Sequence, residues 1–446
     1  MSFVADKQTL DDLNLLRRYR NDSIYALFNQ VHTSGGEKLM DKMFRYPLDN
    51  ADEINRRSGL FKYFEKKGLR FPLNKEQFGV VENYLGSHDN GSYAAALFKG
   101  LRKKALSAIF LDEAFKSMQK GLEATIDVLT IFFDFMLKLE DTDRQHPYHE
   151  ELEALKKVVS DHRLSWLTKE KGSVGMSVMK VIRYDYLLRN LLKDEMGVLL
   201  DIIHRLDIYI AVAGVAKARG FAFAHALPKD RNILDVRGFH HPALPKGVNN
   251  ALTFNQENNV LFLTGANMAG KSTLMKSFGI AVYLAHMGFP VAAEKMEFSV
   301  RDGLYSSINV PDNISQGYSH FYAEVLRVKK IAEEVSSSRD LVVIFDELFK
   351  GTNVKDAYDA TLAVTEAFSD FRNCFFIIST HIIEVGEQLM KGNQPIQFSY
   401  LPTIMDGVMP RYTYKLQEGI TSDRHGMMII HNERILEIIK GAICAC

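Results

Sequence analysis

Residues 264–273, TGANMAGKST, combine glycines, a lysine and hydroxyl side chains at a spacing suited to binding phosphate. The segment matches the pattern G-x-x-x-x-G-K-[ST], follows the apolar run NVLFLTG and precedes a helical pattern. In such a loop the backbone N–H groups turn toward phosphate oxygens, Lys271 reaches the β and γ phosphates, and the Ser272 hydroxyl ligates magnesium. The segment therefore predicts a site for ATP and Mg²⁺. Its nucleotide-binding candidates are Gly265, Asn267, Met268, Gly270, Lys271, Ser272 and Thr273.

A second apolar run, LVVIFDE (341–347), ends in two carboxylates. We expect Asp346 to bind Mg²⁺ together with Ser272, because ligands of open α/β sheets bind at the carboxyl ends of strands. Glu347 is expected to orient or deprotonate the attacking water, and Lys271 is a further catalytic candidate. Without other motifs, an Asp-Glu pair at the end of an apolar run is about as typical of an exposed surface as of a metal site. After a phosphate-binding loop, however, the pair favours ATP hydrolysis.

A third run, IISTHIIEVGEQL, predicts a strand that ends at Ser379, Thr380 and His381. A single histidine is more often structural than catalytic, but a polar strand end beside a γ-phosphate site favours His381 as a phosphate sensor. The adjacent pair His240 and His241 could suggest a metal site. No carboxylate or thiol cluster accompanies the pair in the sequence, so we interpret it as the opening of the nucleotide-binding domain.

Composition and charge limit the classes of partner and compartment. The 446 residues carry 55 Lys and Arg against 55 Asp and Glu, so no global field attracts nucleic acid or anionic lipid. A local basic run, KGLRKK (99–104), could contact DNA phosphates but is more often a solvated helix face. Three cysteines cannot crosslink a chain of this size, and neither a signal peptide nor a membrane span is recognisable. A reducing, cytoplasmic location is expected.

Two regions with different patterns position these candidates. No proline interrupts residues 148–227, and residues 178–218 carry apolar side chains spaced three and four apart, which predicts a helix of about forty residues, roughly 60 Å long. Residues 1–230 are therefore expected to be an all-α core with long lever helices. Residues 231–446 contain short β-branched and aromatic runs alternating with helical patterns, which is typical of a nucleotide-binding α/β domain.

These motifs together resemble the MutS family of DNA mismatch-repair ATPases. The family pattern has TGxNMxGKST, a serine-containing segment with a glutamate, DExxxGT and a threonine-histidine pair. The resemblance extends into the first half of the chain and to the segment after the threonine-histidine pair. The matching runs here are TGANMAGKST, GYSHFYAEV, DELFKGTN and STH, with TSGGEKLMDKMFRYPLDNADEINRRSGLFKYF and LDIYIAVAGVAKARGF upstream and YTYKLQEGITSDRHG downstream.

The resemblance implies a fold and a mode of action. The fold would be multidomain, with the helical core followed by an ABC-type P-loop ATPase domain that has a mixed, largely parallel sheet and C-terminal dimerisation helices. Two ATPase domains would face each other in a homodimer, with Ser319 of one protomer completing the phosphate site of the other. ATP would join the subunits, its hydrolysis would release them, and the long helices would transmit the motion. DNA and repair proteins would be the partners.

This sequence departs from the family pattern at several positions, and each departure removes or weakens one property that the resemblance implies. The core pattern starts near residue 1, so the mismatch-recognition and connector domains are expected to be missing, and the run YFEKK does not replace the phenylalanine-x-glutamate wedge. The segment before the ATPase domain also looks too short for a clamp. His320 and Lys350 replace a threonine and an arginine, and Gly247 and Val248 stand where an aromatic platform for adenine is expected.

The combined expectation is a Mg²⁺-dependent ATPase that acts as a dimer on mismatched or branched DNA in repair or recombination. One alternative is a machine of the same design that acts on a protein partner, which the balanced charge would permit. Another is a small-molecule kinase or a transporter ATPase. The missing membrane segments argue against transport, and the resemblance beyond the two nucleotide motifs argues against both of these activities.

Overall fold

The computed structural model describes residues 3–16, 22–86, 111–139, 146–171, 176–266, 268–308, 320–392, 394–406, 409–421 and 438–439. Its α-helices are α1 Lys7–Asp12, α2 Ile24–Phe28, α3 Ser34–Arg45, α4 Ala51–Lys67, α5 Lys75–Gly86, α6 Leu111–Leu139, α7 His149–Val159, α8 Leu167–Glu170, α9 Val178–Tyr186, α10 Lys193–Arg219, α11 Lys271–His286, α12 His320–Ser336, α13 Val354–Ser369 and α14 Ile383–Leu389. Its strands are β1 Val4–Ala5, β2 Ala222–Phe223, β3 His225–Leu227, β4 Leu234–Phe239, β5 Asn250–Phe254, β6 Val260–Gly265, β7 Pro290–Val291, β8 Lys295–Ser299, β9 Gly303–Ser307, β10 Leu341–Asp346, β11 Phe375–Ser379, β12 Ile396–Leu401, β13 Thr403–Asp406, β14 Met409–Tyr412 and β15 Gln417–Glu418.

The chain divides into two compact units. The helical unit comprises Phe28–Met43 and Gly59–Val215, and the sheet unit comprises Met1–Leu27, Phe44–Ser58 and Ala216–Cys446. Within the described stretches, no helix combines the length and apolar character that crossing a bilayer requires. The predicted C-terminal dimerisation helices and the basic run at 99–104 lie outside the described residues, apart from 438–439.

The helical unit is built from amphipathic helices whose apolar stripes face inward. In α6, side chains three and four positions apart, such as Leu122, Ile126, Leu129 and Phe132, are at most 2% exposed. Helices α5 and α6 approach closely at Gly121, where a Cβ atom would lie 2.5 Å from the ring of Tyr84. These buried stripes are what holds the helices of this unit together.

The long helix predicted over residues 178–218 is interrupted. A π-helical turn at Leu187–Leu191 joins α9 to α10, and Leu192 departs from helical geometry with φ −111° and ψ 20°. A π turn accommodates one extra residue and rotates the apolar stripe. Leu188 and Leu192 are accordingly buried, whereas Leu191, which we expected on the same apolar face, is 54% exposed.

The sheet unit contains a seven-stranded sheet in the order β1-β9-β10-β11-β6-β12-β15. Every neighbouring pair is parallel except β12 with β15, which are antiparallel. A second, four-stranded sheet has the order β3-β8-β4-β5 and is mixed, since β3 and β8 are parallel and β4 is antiparallel to both neighbours. The predicted mixed, largely parallel sheet is therefore present.

The central strands are buried, which explains their continuous apolar runs. All six residues of β6 and the first five of β10 are buried, because helices cover the sheet. Val328 and Ile331 of α12 and Phe368 of α13 belong to the same apolar cluster as the strands. Thirteen of the sixteen residues of α11 are also buried, so this helix leads from the loop predicted to bind phosphate directly into the core.

The first residues of the chain belong to the sheet unit. The two compact units therefore do not coincide with the two regions that the sequence pattern separates at residue 230. Val4 and Ala5 of β1 pair with Gly303 and Leu304 of β9. A side chain at position 303 would bring its Cβ to 2.6 Å from the carbonyl oxygen of Val4, so only glycine permits this approach. Backbone pairing between residues so far apart in sequence cannot be deduced from helical periodicity, and β2 and β3 also precede residue 230.

Candidate functional site

The predicted site residues follow three adjacent strands of the large sheet. The strands β10, β11 and β6 are neighbours in that order and run parallel. Asp346 ends β10, Ser379 ends β11 in register with it, and Gly265 ends β6. Because parallel strands present their carboxyl ends at one edge, residues that are distant in sequence meet there.

The loop predicted to bind phosphate has positive φ angles at two of its glycines. Gly265 has φ 148° and Gly270 has φ 99°, both unfavourable for residues with a Cβ atom. Met268 also has a positive φ, 71°, and its side chain is 74% exposed. Gly270 caps the N-terminus of the sixteen-residue α11, whose first N–H groups are free of intrahelical partners and suited to an anion. Asn267 lies outside the described residues.

Lys271 is buried at the start of α11 and is surrounded by oxygen atoms. Its Nζ donates to the carbonyl oxygens of Gly265 at 2.8 Å and Ala266 at 3.4 Å, and it lies 3.9 Å from Oε1 of Glu347. Burial lowers the pKa of Lys271, while the carboxylates of Glu347 and Asp346 oppose the shift. The ammonium group therefore has two backbone carbonyls of the loop as its hydrogen-bond partners.

Asp346 is held between two hydroxyl groups. Ser272 Oγ donates to its Oδ2 at 2.5 Å, and Ser379 Oγ donates to its Oδ1 at 2.6 Å. The hydroxyl and the carboxylate are oxygen ligands of the kind Mg²⁺ prefers, so Ser272 and Asp346 would be the residues that hold it. Among the described residues there is no cluster of three His, Cys, Asp or Glu side chains that could hold a metal ion. The donor set thus fits Mg²⁺ bound through one carboxylate and a nucleotide, rather than an all-protein metal site.

Glu347 occupies a left-handed backbone conformation, with φ 58°, directly after β10. Its N–H donates to the carbonyl oxygen of Ser379 at 3.1 Å, so β11 supports the unusual turn. A narrow crevice beside it is lined by Asp346, Glu347 and the buried Glu324 of α12. A non-glycine residue in this conformation costs free energy, which is typical of functional turns.

His381 follows β11 but is exposed, unlike its neighbour Thr380, which is 1% exposed. The Thr380 N–H donates to the carbonyl oxygen of Leu263 at 3.2 Å, which ties this turn to β6. The bond fixes the residue before His381, and the function of His381 as a phosphate sensor stays a prediction. Ser319, predicted to act in trans, lies outside the described residues, and so does the side chain of His320.

A cavity of about 330 Å³ lies beside the phosphate-binding loop. Gly270 and Thr273 line its loop side, Val248 and Asn250 its strand side, and Tyr414 closes it from a distant part of the chain. A Cβ atom at Gly270 would lie 2.9 Å from the Tyr414 ring, so ring and loop are in close contact. Tyr414 thus places an aromatic ring in the cavity wall, and the sequence before Asn249, where an aromatic platform is expected, gives no sign of it.

The two histidines proposed to open the domain also line this cavity. Burial lowers the pKa of His241, and the charges of Lys276 and His240 lower it further. His240 Nδ1 lies 3.4 Å from the carbonyl oxygen of Gly238. The pair therefore forms one wall of the cavity.

Residues 261–443 match the family model of MutS domain V. The chain is 27% identical over 272 residues to DNA mismatch repair protein MutS of Petrotoga mobilis, covering 58% of this chain and 33% of that protein. It is 28% identical over 259 residues to endonuclease MutS2 of Thermus thermophilus, covering 57% of this chain and 33% of that protein.

A further relative, DNA mismatch repair protein MutS from another strain of Thermus thermophilus, is 33% identical over 187 residues, covering 41% of this chain and 22% of that protein. The chain spans a third or less of the length of these curated relatives. The match to MutS domain V and the relatives named MutS and MutS2 support a MutS-family protein, at partial identity over about half of this chain.

Proposed function

We propose that this chain binds ATP with Mg²⁺ and hydrolyses it, as a nucleotide-controlled dimer that acts on mismatched or branched DNA in repair or recombination. The observation that carries the proposal is the row of hydrogen bonds from Ser272 to Asp346 to Ser379, with Lys271 and Glu347 beside it. This row joins the start of α11 to the ends of β10 and β11, which is where a nucleotide binds in such a sheet.

Binding would use the loop from Gly265 to Thr273. The N–H groups at the start of α11 would take phosphate oxygens, and Lys271 would exchange its bonds to Gly265 and Ala266 for the β and γ phosphates. Ser272 and Asp346 would hold Mg²⁺, which supplies neutralisation of phosphate charge. The base would enter the 330 Å³ cavity and stack on Tyr414.

Hydrolysis would depend on Glu347. Its carboxylate follows the strand that positions Asp346, and it would orient or deprotonate the attacking water. Lys271 would stabilise charge that develops on the transferred phosphoryl group, and His381 would sense the γ phosphate from the end of β11. The left-handed turn at Glu347, supported by Ser379, keeps the carboxylate close to Lys271.

Dimerisation would complete the site. By family, Ser319 of one protomer is expected at the phosphates bound by the other, so a single chain should hydrolyse ATP slowly. Its turnover per protomer should therefore rise with protein concentration. Repair proteins would be further partners. The relatives named as DNA mismatch repair proteins support DNA as the substrate of the assembly.

A titration of fluorescent DNA tests the proposal. Matched duplex, single-mismatch duplex and a four-way junction are each titrated with and without ATP at two salt concentrations, while phosphate release is measured in parallel. Tighter, salt-sensitive and ATP-dependent binding to the mismatch or the junction is expected. ATP turnover with equally weak binding to all three DNAs would refute the DNA assignment, and absence of turnover at high protein concentration would refute the ATPase assignment.

The second candidate function is an ATP-driven dimer that acts on a protein partner. The observation in its favour is the balanced charge, 55 cationic against 55 acidic residues, which supplies no overall attraction to DNA. The same titration separates the two candidates. A steep loss of DNA affinity with salt would exclude the protein-partner function as the main activity, because it reports phosphate contacts.

A further inference from the structure

The N-terminal segment, residues 4–12, lies along the edge of the large sheet beside β9. Strand β1 pairs with β9 only at Gly303 and Leu304, and the Val4 N–H donates to the carbonyl oxygen of Asp302 at 2.9 Å. Beyond Leu304, the outward-facing backbone groups of β9 are no longer paired with β1. Buried backbone groups require hydrogen-bond partners, so these groups must be satisfied in another way.

Side chains of α1 supply those partners. Thr9 Oγ1 accepts from the Ser306 N–H at 3.0 Å, and Asp12 Oδ2 accepts from the Ser306 hydroxyl at 2.7 Å and from the Ile308 N–H at 3.0 Å. Thr9 and Ser306 are completely buried and Asp12 is 5% exposed. Two side chains of a short helix thus take the place of a neighbouring strand and fix the end of β9.

Arg327 of α12 connects this arrangement to the next helix. Its Nε donates to the carbonyl oxygen of Ser306 at 3.0 Å, and its Nη2 donates to Thr9 Oγ1 at 3.3 Å. The same guanidinium donates to both carboxylate oxygens of Asp6, and Lys330 Nζ donates to Asp6 Oδ2 at 2.8 Å. Burial would raise the pKa of Asp6, but the hydrogen bonds from Arg327 and Lys330 outweigh burial and lower it.

The residues held in this way border the proposed hydrolytic centre. Ile308 and Glu324 line the crevice that also contains Asp346 and Glu347. Glu324 lies three positions before Arg327, on the same side of α12. The Gly351 N–H lies 3.4 Å from Glu324 Oε2, so α12 also contacts the loop that follows Glu347.

We propose that Asp6, Thr9, Asp12 and Arg327 are positioning residues for ATP hydrolysis. Their hydrogen bonds hold α12 and the end of β9 against the loop that carries Glu347, and α12 begins directly after Ser319. The inference rests on the proposed ATPase function. None of the four lines the phosphate-binding loop or the cavity beside it. Their loss should therefore lower the turnover rate and leave nucleotide affinity unchanged.

The substitution Thr9→Val tests the role, because it keeps the side-chain shape and removes the hydroxyl that Ser306 and Arg327 use. In the full-length chain we expect kcat to fall by about ten- to a hundredfold, because small misplacements of catalytic groups have effects of this size. The dissociation constant of a fluorescent ATP analogue should stay within about twofold of wild type, because the phosphate loop is intact. Amide hydrogen exchange in residues 321–328 should accelerate, and Thr9→Ser should restore both properties.

Thr365→Val is the matched control. It removes another completely buried threonine hydroxyl of the sheet unit, one that donates to the carbonyl oxygen of Thr361 at 2.7 Å on α13. This control should change stability without changing kcat. If Thr9→Val prevents folding, Lys330→Gln decides instead, because Lys330 is half exposed and its bond within the described part of the chain is to Asp6. It should lower kcat by a smaller factor and accelerate exchange in the same peptide.

Two outcomes would overturn the positioning role alone: a folded Thr9→Val chain with wild-type kcat, or equal losses of kcat in Thr9→Val and Thr365→Val. For Lys330→Gln the overturning result is wild-type kcat together with wild-type exchange. A wild-type chain that binds ATP without hydrolysing it at any concentration would instead overturn the proposed function and, with it, the role in hydrolysis. ATP turnover by the wild-type chain therefore shows whether the positioning role alone or the proposed ATPase function has failed.

Discussion

The hydroxyl of Ser379, at the end of β11, donates a hydrogen bond of 2.6 Å to Oδ1 of Asp346, at the end of the neighbouring β10. The other carboxylate oxygen accepts from Ser272. When Ser272 turns its hydroxyl oxygen toward a cation, Ser379 remains to orient the carboxylate. Ser379 is thus expected to act on the metal through Asp346 rather than by binding it.

Replacement of Ser379 by alanine should weaken Mg²⁺ binding. We expect the Mg²⁺ concentration for half-maximal ATP turnover to rise about tenfold or more, since partners that orient a metal ligand have effects of this size on affinity. Turnover at saturating Mg²⁺ should recover most of its wild-type rate. Ser369→Ala, which removes another buried serine of the sheet unit, is the control. An unchanged Mg²⁺ requirement in Ser379→Ala would contradict the assignment of Asp346 to the metal.

Replacement of Glu347 by glutamine should separate ATP binding from hydrolysis. The amide keeps the size of the side chain but cannot accept a proton from water, so turnover should fall by about 10²- to 10⁴-fold. ATP binding should persist, because the substitution leaves Lys271, Ser272 and Asp346 in place to bind the phosphates and Mg²⁺. Phosphate release and equilibrium binding of a fluorescent ATP analogue measure the two effects.

The matched control is Glu366→Gln, at an exposed position on α13 of the same unit. It should leave both binding and turnover at wild-type values. Turnover by Glu347→Gln at the wild-type rate would show that another group activates the water, and His381 at the end of β11 would be the next candidate to replace.

Tyr414 should determine how tightly the base is held. Stacking of a base on an aromatic ring contributes about 1–3 kcal/mol, so Tyr414→Ala should raise the dissociation constant for ATP by roughly tenfold or more. Tyr414→Phe keeps the ring and should bind ATP as wild type does. Inorganic tripolyphosphate has no base, and its affinity should be the same in all three proteins.

Competition of each ligand against a fluorescent nucleotide measures these affinities. A parallel loss of ATP and tripolyphosphate affinity in Tyr414→Ala would mean that the ring supports the loop at Gly270, which it contacts, rather than the base.

The strands and the loop at the centre of the site could be predicted from the sequence because their signals are local. The apolar runs before Gly265, Asp346 and Ser379 are buried strands, and a glycine-rich turn followed by a lysine requires positive φ at its glycines. The parallel arrangement of those strands then brings their ends together. Spacing within each motif and one rule of sheet topology were sufficient.

Contacts between residues far apart in the sequence could not be predicted, because local sequence patterns carry no information about them. Arg327 pairs with Asp6 across 321 positions, and Asn250 of β5 donates to the carbonyl oxygen of Tyr414 across 164. Neither pairing leaves a periodic signal. The π turn at Leu187–Leu191 could not be predicted either. A run of leucines is compatible with a continuous α-helix and with a π turn, and the burial of its side chains in the folded protein decides which one forms.

The sheet unit should lose stability in mild acid because of His286, which is completely buried in α11. Its Nδ1 donates to the carbonyl oxygen of Val282 at 2.8 Å, and its Nε2 accepts from the Arg301 N–H at 3.0 Å. Burial lowers the pKa of His286 from 6.5 to about 3, and the nearby charges of Arg301 and Lys229 contribute in the same direction. The folded protein therefore keeps a neutral imidazole that the unfolded chain protonates.

Between pH 6.5 and about 3 the unfolded state binds one more proton at this position than the folded state. Protonation of this histidine in the unfolded chain should consequently lower the free energy of unfolding by about 1.4 kcal/mol for each pH unit below 6.5. Above pH 6.5 the histidine is neutral in both states, and its full stabilising contribution should be present. Urea unfolding of wild type and His286→Gln between about pH 5 and 7.5 measures it, with the exposed His225→Gln as control. The variant at 286 should show the shallower acid slope, because its side chain cannot titrate. Equal slopes in wild type and both variants would mean that His286 is protonated in the folded protein, against the hydrogen bond from Arg301.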